Sequence, residues 1–596
     1  MRIGTLAALD LRFSPKFPMV PFFMPAVFLF RWFSGLRSSF LLCVVTTALV
    51  ALARLGQGPP GESMTQFVLS FGFAIFVNFA LFAAISAAPR HQSTHASRDA
   101  VIGLANRRSL DRYLAREGYR CRRADVRSEE KRKRSSRSIP RLASGSGHCL
   151  FSAFPMNLSA WHRLRLRFQG SRLTSAAIGW AAGLVLAWFF VFPLRSSWPN
   201  DYYGFWAAGQ FSRSANLKTL YGFHGQVAIP KFAQATAENA GSNLEWRMRF
   251  FYHRLDLTAT PFHYAVISLI SGGGLERDYH RFVHASSFIY VIAIMALATY
   301  LRFPFWSLPA LVLFFTRCYW PFQRDIMDGN DSALIAGLAA LSLLLLQSRR
   351  DGPRLAAGFA LGLLSLFKPT VIFAPFFAFI VLIATDRRGA ACFAAGLLLA
   401  GLVAVVSAAA IFGPVARWSA WLKYAPKRSF EIRGMAGGLL GRYFHVRSTT
   451  PYHAVALVML SSVAAFLWRE CRQSTHHLVQ VSRHAPHGFD AVAAGAAGLA
   501  AYLLAGVLVW GHYFTIAMPA ALIALRPRPH LGRRGWIPFS LGAEACVFLA
   551  FQGWFRAHNW TTWGNYSPIT LVGTVIVLGV CLWDVRDSGR LGESAA

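Results

Sequence analysis

The chain has 596 residues, 55% of them hydrophobic and only 15% charged, with a formal net charge of +35. Its mean hydropathy of +0.39 is too high for a soluble globular chain of this length. Much of the charge is arginine set in short turns between apolar runs, a positive-inside pattern, so contact with membrane lipid head groups accounts for it and nucleic acid is not an expected partner.

The apolar runs are about 17–25 residues long, enough to cross a hydrocarbon core, and they do not alternate as the strands of a β-barrel would. The expected fold is an all-α polytopic membrane protein. Residues 1–88 carry apolar runs at 39–55 and 64–88 after a proline-broken run at 18–33, with no cleavable signal peptide expected. Residues 89–160 are basic and rich in Ser, Arg and Gly, as in a linker. Residues 161–590 form the main membrane domain. Its expected spans lie near 173–194, 282–301, 304–320, 329–347, 354–367, 370–385, 389–411, 452–468, 488–509, 513–525, 535–553 and 567–584. The eight cysteines include no CxxC pair and lie mostly in apolar runs. That argues against a disulfide framework or a zinc site, and no metal is expected.

The arginines of the short turns set an orientation. Arg349, Arg350 and Arg354 fill one turn, Arg387 and Arg388 another, and Arg526, Arg528, Arg533 and Arg534 a third. Placing all of them in the cytoplasm requires that 258–275 not cross, which its Pro261, His263 and Gly272–Gly274 favour. Four polar landmarks then face outward: Asp201 in NDYYGFWAAG, Asn330 in DGNDS, Lys368 in LFKPT and His512 in WGHYF. Polar groups at membrane depth are expensive, so four on one face point to a site. Asp201 can act as a general base, or merely cap the helix that follows. Lys368, at a proline break, can hold a phosphate or simply snorkel. His512 and its neighbour Tyr513 can bind a phosphate or hydroxyl, or belong to an aromatic belt. Asn330 and Asp331 can line the site or cap a span.

The order of these elements resembles glycosyltransferase family 87, polyprenyl-phosphate-mannose-dependent enzymes of the GT-C class. The resemblance runs from about 170 to 585 through DYYGFWAAGQ, TATPFHYAVISLIS, DGNDSALIAG, AGFALGLLSLFKPTVIF and VWGHYFTIAMPAAL. Two positions depart from the family pattern: Gly329 is followed directly by Asn330 with no Gln between, and Thr260 stands where a Pro is expected. The resemblance implies a GT-C-like bundle with outward-facing loops in a bacterial inner or plasma membrane. It implies transfer of a hexosyl group, mannosyl in the family, from a polyprenyl-phosphate sugar to a glycan or glycolipid hydroxyl, with inversion and no cofactor beyond the lipid-linked donor. Asp201 would be the base, Lys368 and His512 would face the leaving phosphate, and Arg324 is a further phosphate partner in the outward loop. The alternative class is a transporter or flippase of lipid-linked sugars, which internal repeats and broken midplane helices would favour.

Residues 98–120, RDAVIGLANRRSLDRYLAREGYR, resemble the opening helix of a GGDEF diguanylate cyclase domain, but no GGDEF signature follows. The expectation is a remnant without cyclase activity.

Overall fold

The computed structural model describes residues 158–192, 199–214, 220–412, 418–425, 427–428, 449–478, 488–506, 509–528, 535–552 and 568–594. The expectations for 1–88, for the GGDEF-like stretch and for most of the linker lie outside them. The chain divides into two units, and residues 178–596 belong to the larger, whose helices carry everything that follows.

The described elements are all helical. After α1 (Leu158–Phe190) come four shorter helices: α2 (Asn200–Ser214), α3 (Phe223–Ala235), α4 (Asn243–Phe251) and α5 (Pro261–Ile270). Helix α6 (Leu275–Tyr300) is long, and α7 (Leu308–Leu313) and α8 (Trp320–Asp328) are short. A tightly connected series follows: α9 (Ser332–Leu345), α10 (Asp351–Phe367), α11 (Phe373–Thr385) and α12 (Arg387–Phe412). The last described helices are α13 (Thr449–Leu478), α14 (Gly488–Ala505), α15 (Met518–Ala524), α16 (Trp536–Ala550) and α17 (Pro568–Ser594).

Helices α6, α12 and the His453–Gln473 part of α13 are long and apolar enough to cross a membrane, and α8 with α9 makes a further candidate broken at a 120° bend. The chain is thus an all-α membrane protein. Helix α5 has ten residues, about 15 Å of rise, or half a hydrocarbon thickness. It begins at Thr260, whose hydroxyl accepts from the His263 amide at 3.0 Å and donates to the carbonyl of Leu366 at the end of α10.

The run at 304–320 does not fold as one span. Helix α7 ends after six residues in a π turn, Phe314–Cys318, and the chain restarts as α8. Tyr319 is extended and Pro321 follows in the first turn, where a residue without an N–H is tolerated. The stretch around Arg324, read as an outward loop, is therefore a helix. It ends at Gly329, in the left-handed region at φ 66°. The elbow into α9 is then fixed from within: the Asn330 amide donates to the Asp325 carbonyl at 2.9 Å, and the Asp325 carboxylate accepts from the amides of Ser332 and Ala333 at 3.1 and 2.7 Å. Asp325 therefore caps α9.

Helices α10 and α12 pack backbone to backbone. A side chain at Gly358 would collide with the carbonyl of Phe393, and one at Gly396 with that of Leu355. Small residues allow this approach where lipid supplies no hydrophobic drive. The other side of α12 leaves Leu398 and Leu402 exposed, as a lipid-facing surface would. The start of α9, the end of α10 and the start of α11 meet at one end of the bundle. The arginine turns 349–350 and 387–388 lie at the other ends of these helices.

Candidate active site

Asp201 lies in the first turn of α2, where the positive end of a helix dipole favours a carboxylate. The next two residues, Tyr202 and Tyr203, are fully buried and anchor the turn. Tyr202 packs its ring against Tyr279 and Phe282, with centroids at 5.7 and 5.1 Å. Asn200 accepts a hydrogen bond from Tyr252 just beyond α4. The Asp201 carboxylate accepts from Asn330 Nδ2 at 2.7 Å, across 129 positions of sequence, so its partner is tertiary rather than the local amides of a cap. About a third of its side chain, 35%, stays open.

His512 follows Gly511 in a 3₁₀ turn and is nine-tenths buried. Its ring lies between two carboxylates: Nε2 is 3.6 Å from Asp201 Oδ2, and Nδ1 is 3.6 Å from Asp328 Oδ2. Nε2 has no hydrogen-bond partner among the described residues. Asp328 in turn pairs with Arg324 Nε at 2.7 Å, and the Arg324 side chain is 43% exposed. Asp201, Asp328 and His512 each bring one potential ligand atom within 4.8 Å of the others. The arrangement is better described as an imidazole set between two carboxylates. The two carboxylates sit at different ring nitrogens, and Arg324 already neutralises Asp328.

Lys368 is the C-cap residue of α10 and is only 8% exposed. Its ammonium donates to Asn330 Oδ1 at 2.7 Å, pairs with Asp331 Oδ1, and lies 4.2 Å from the ring centroid of Tyr513. The other oxygen of Asp331 faces His263 Nδ1 at 3.4 Å. Burial pulls His263 down to about 4, so it is neutral and the Asp331 charge is met by Lys368. Asn330 Oδ1 also accepts from the Asp331 amide at 2.8 Å and the Ser332 hydroxyl at 2.9 Å.

The structure thus brings together all six residues singled out in the sequence: Asp201, Asn330, Lys368, His512, Arg324 and Tyr513. Asp331 was read there as lining or capping. It is the N-cap residue of α9, makes no side-chain cap bond, and instead pairs with Lys368. Sequence reasoning missed Asp325 and Asp328. Their one signal is the spacing of three carboxylates in RDIMDGNDS, which looks like an ordinary polar turn.

Burial is the largest influence on the Asp201 carboxyl and raises it above the ordinary value of 3.8. His512, the Asn330 hydrogen bond and Lys368 oppose the rise, and Asp328 adds to it. The result is a half-open carboxylate, a more effective proton acceptor than an ordinary one, beside a cation-bearing rim. Such a site can take a proton from a hydroxyl and hold an anion nearby.

Residues 258–485 match the family model described as Glycosyltransferase family 87. The matched segment contains Arg324, Asn330 and Lys368 and leaves Asp201 and His512 outside. No curated protein and no solved structure matches the chain. The match covers 228 of the 596 residues and supports the resemblance to glycosyltransferase family 87 and, in general terms, a membrane glycosyltransferase.

Proposed function

We propose that the chain transfers a hexosyl unit from a polyprenyl-phosphate sugar to an acceptor hydroxyl at the outer face of a bacterial plasma membrane, with inversion. The observation that carries this reading is the Asp201 carboxylate, held from one side by Asn330 and open on the other, next to His512 and Arg324. The acceptor oxygen forms a bond to the anomeric carbon as the bond from that carbon to the phosphate oxygen breaks. The hydroxyl proton passes to Asp201, and polyprenyl phosphate leaves with the bonding electrons. Arg324 has its terminal nitrogens for the phosphate while Nε stays on Asp328, and His512 adds the donor or charge of its unpartnered Nε2. The outward orientation is supported by the arginine turns at the far ends of α9, α10 and α11.

The test is Asp201→Asn in folded, membrane-inserted protein, incubated with labelled polyprenyl-phosphate hexoses and a lipid extract of the host. Removing the base lowers transfer by about 10²–10⁴-fold. Near-full transfer by this variant would sink the base assignment, and movement of the lipid-linked sugar across the bilayer without transfer would favour a flippase. A cysteine at Arg324 should label with an impermeant reagent added from outside, while one at Arg350 should not; the reverse pattern would overturn the orientation.

A further inference from the structure

The family-like reading of the KP pair gives Lys368 to the leaving phosphate, but the geometry around the ammonium leaves little for a ligand. A lysine has three N–H donors. At Lys368 they face Asn330 Oδ1 at 2.7 Å, Asp331 Oδ1, and more distantly the Ser332 hydroxyl at 3.4 Å, with the Tyr513 ring covering the cation at 4.2 Å. Every one of these partners is buried. Three donors converge on Asn330 Oδ1: the lysine ammonium, the Asp331 amide and the Ser332 hydroxyl. An amide whose oxygen is claimed three times over has only one orientation, and its NH₂ must point the other way. That way lies Asp201 Oδ2, at 2.7 Å.

We propose that Lys368 is a positioning residue for Asp201: paired with Asp331, it locks the Asn330 amide so that Nδ2 holds one oxygen of the Asp201 carboxylate and leaves the other for the acceptor hydroxyl. Lys368 is then no ligand of the donor phosphate. This rests on Asp201 being the base. The lock is built across three elements, the end of α10, the elbow before α9 and the first turn of α2, and Asp325 braces the elbow by capping α9. The other charges around Asp201 are accounted for. His512 faces it directly, with Asp328 and Arg324 behind the ring. On the neighbouring helices, His263 of α5 is turned to Asp331, and Asp278 of α6 is bonded to Trp206 and the Gly273 amide.

The experiment is Lys368→Met in the full chain, read by two measurements: the affinity for polyprenyl phosphate and the pH profile of kcat/KM. If the lone Asp331 prevents folding, the paired variant Lys368→Met with Asp331→Asn removes both charges together. Because the ammonium and the amide it orients both favour the charged carboxylate, their loss moves the acid limb of kcat/KM to higher pH, by about half a unit to one unit. The shift produces a deficit of about three- to tenfold at pH below the limb, which shrinks as pH rises through it. Affinity for polyprenyl phosphate stays within about twofold of the parent. A merely structural role would give a deficit that is flat with pH, and a phosphate-holding role would weaken binding about tenfold with the limb unmoved; either result overturns the proposal. Asp201→Asn is assayed alongside. If it still transfers, the base reading fails and this inference falls with it. If it is inactive while the Lys368→Met limb stays put, only this inference falls.

Discussion

Arg528 donates through Nε and Nη2 to the two oxygens of Asp584 at 2.7 and 2.6 Å, and its remaining N–H groups reach the carbonyls of Ile523, Ala524 and Arg526. All five guanidinium donors are met, both side chains are buried, and the pair closes the end of α15 against α17. Around Asp201 the accounting is different. His512 Nε2, the Tyr202 hydroxyl and Asp331 Oδ2 lack hydrogen-bond partners among the described residues, and a third of the Asp201 side chain is open. Both regions place charge among apolar helices, where an unmet polar atom is costly. A complete network has nothing left to offer a ligand and serves to pin helices together. An incomplete one keeps its unmet atoms for something that arrives later.

The widest gap between the two regions should appear on breaking the closed one. Arg528→Met takes the bidentate partner from Asp584, leaving Arg526 Nη2 at 3.5 Å, and removes the cap of α15, a loss of about 3 kcal/mol. Its thermal midpoint in detergent should fall steeply. The double variant Arg528→Met with Asp584→Leu should recover part of the loss, since an apolar pair of similar volume carries no desolvation cost. The fraction of Arg528→Met that does fold should bind polyprenyl phosphate normally. A folded variant with impaired binding would show that the closed cluster reaches the site and would blur the contrast.

What the sequence made legible follows the same division. Asp201, Asn330, Lys368 and His512 stood out because each is a polar residue at the edge of an apolar run. The arginine turns imply one common face for them. Asp325 and Asp328 were not legible. They lie in WPFQRDIMDG, which reads as a polar loop, and they matter only because α8 exists and meets α9 at 120°. Nor could the partner of Lys368 be found from spacing. Asp331 lies 37 positions upstream, on the far side of a helical turn, and it reaches the ammonium only because α9 and α10 return to the same end of the bundle. Thr260, which departs from the family pattern, proves to be a cap that ties α5 to α10.

A smaller effect tests how tightly the open region is held. Gly329 has φ 66°, and a Cβ added there would lie 2.6 Å from Tyr202 Cβ and 3.0 Å from Tyr279 Cε2. Gly329→Ala therefore combines a disfavoured backbone with overpacking, about 1–3 kcal/mol. Gly329 adjoins Asn330, and Tyr202 adjoins Asp201, so the clash pushes apart the two residues whose hydrogen bond defines the site. Transfer should drop more than the folded fraction does. Gly352→Ala, where an added Cβ meets nothing within 4 Å, is the control and should be neutral. Equal losses of activity and folded protein in Gly329→Ala would mean that the elbow is only structural.

The smallest effect carries the opposite sign. Burial raises the Asp201 carboxyl above its unfolded value of 3.8, so its charge is less favourable in the native state than in the unfolded chain. That penalty is fully present above the folded value and vanishes as pH falls below the unfolded one. Asp201→Asn removes the charge and keeps an oxygen that can accept from Asn330. At neutral pH this variant should melt slightly higher than the parent while transferring almost nothing, and its advantage should fade as the pH is lowered and the parent carboxyl becomes neutral as well. Arg528→Met, in the closed region, should lose stability over the same range. An Asp201→Asn variant that melts lower at neutral pH would mean that the Asp201 charge is held as firmly as the Arg528 pair, and the distinction between the two regions would not stand.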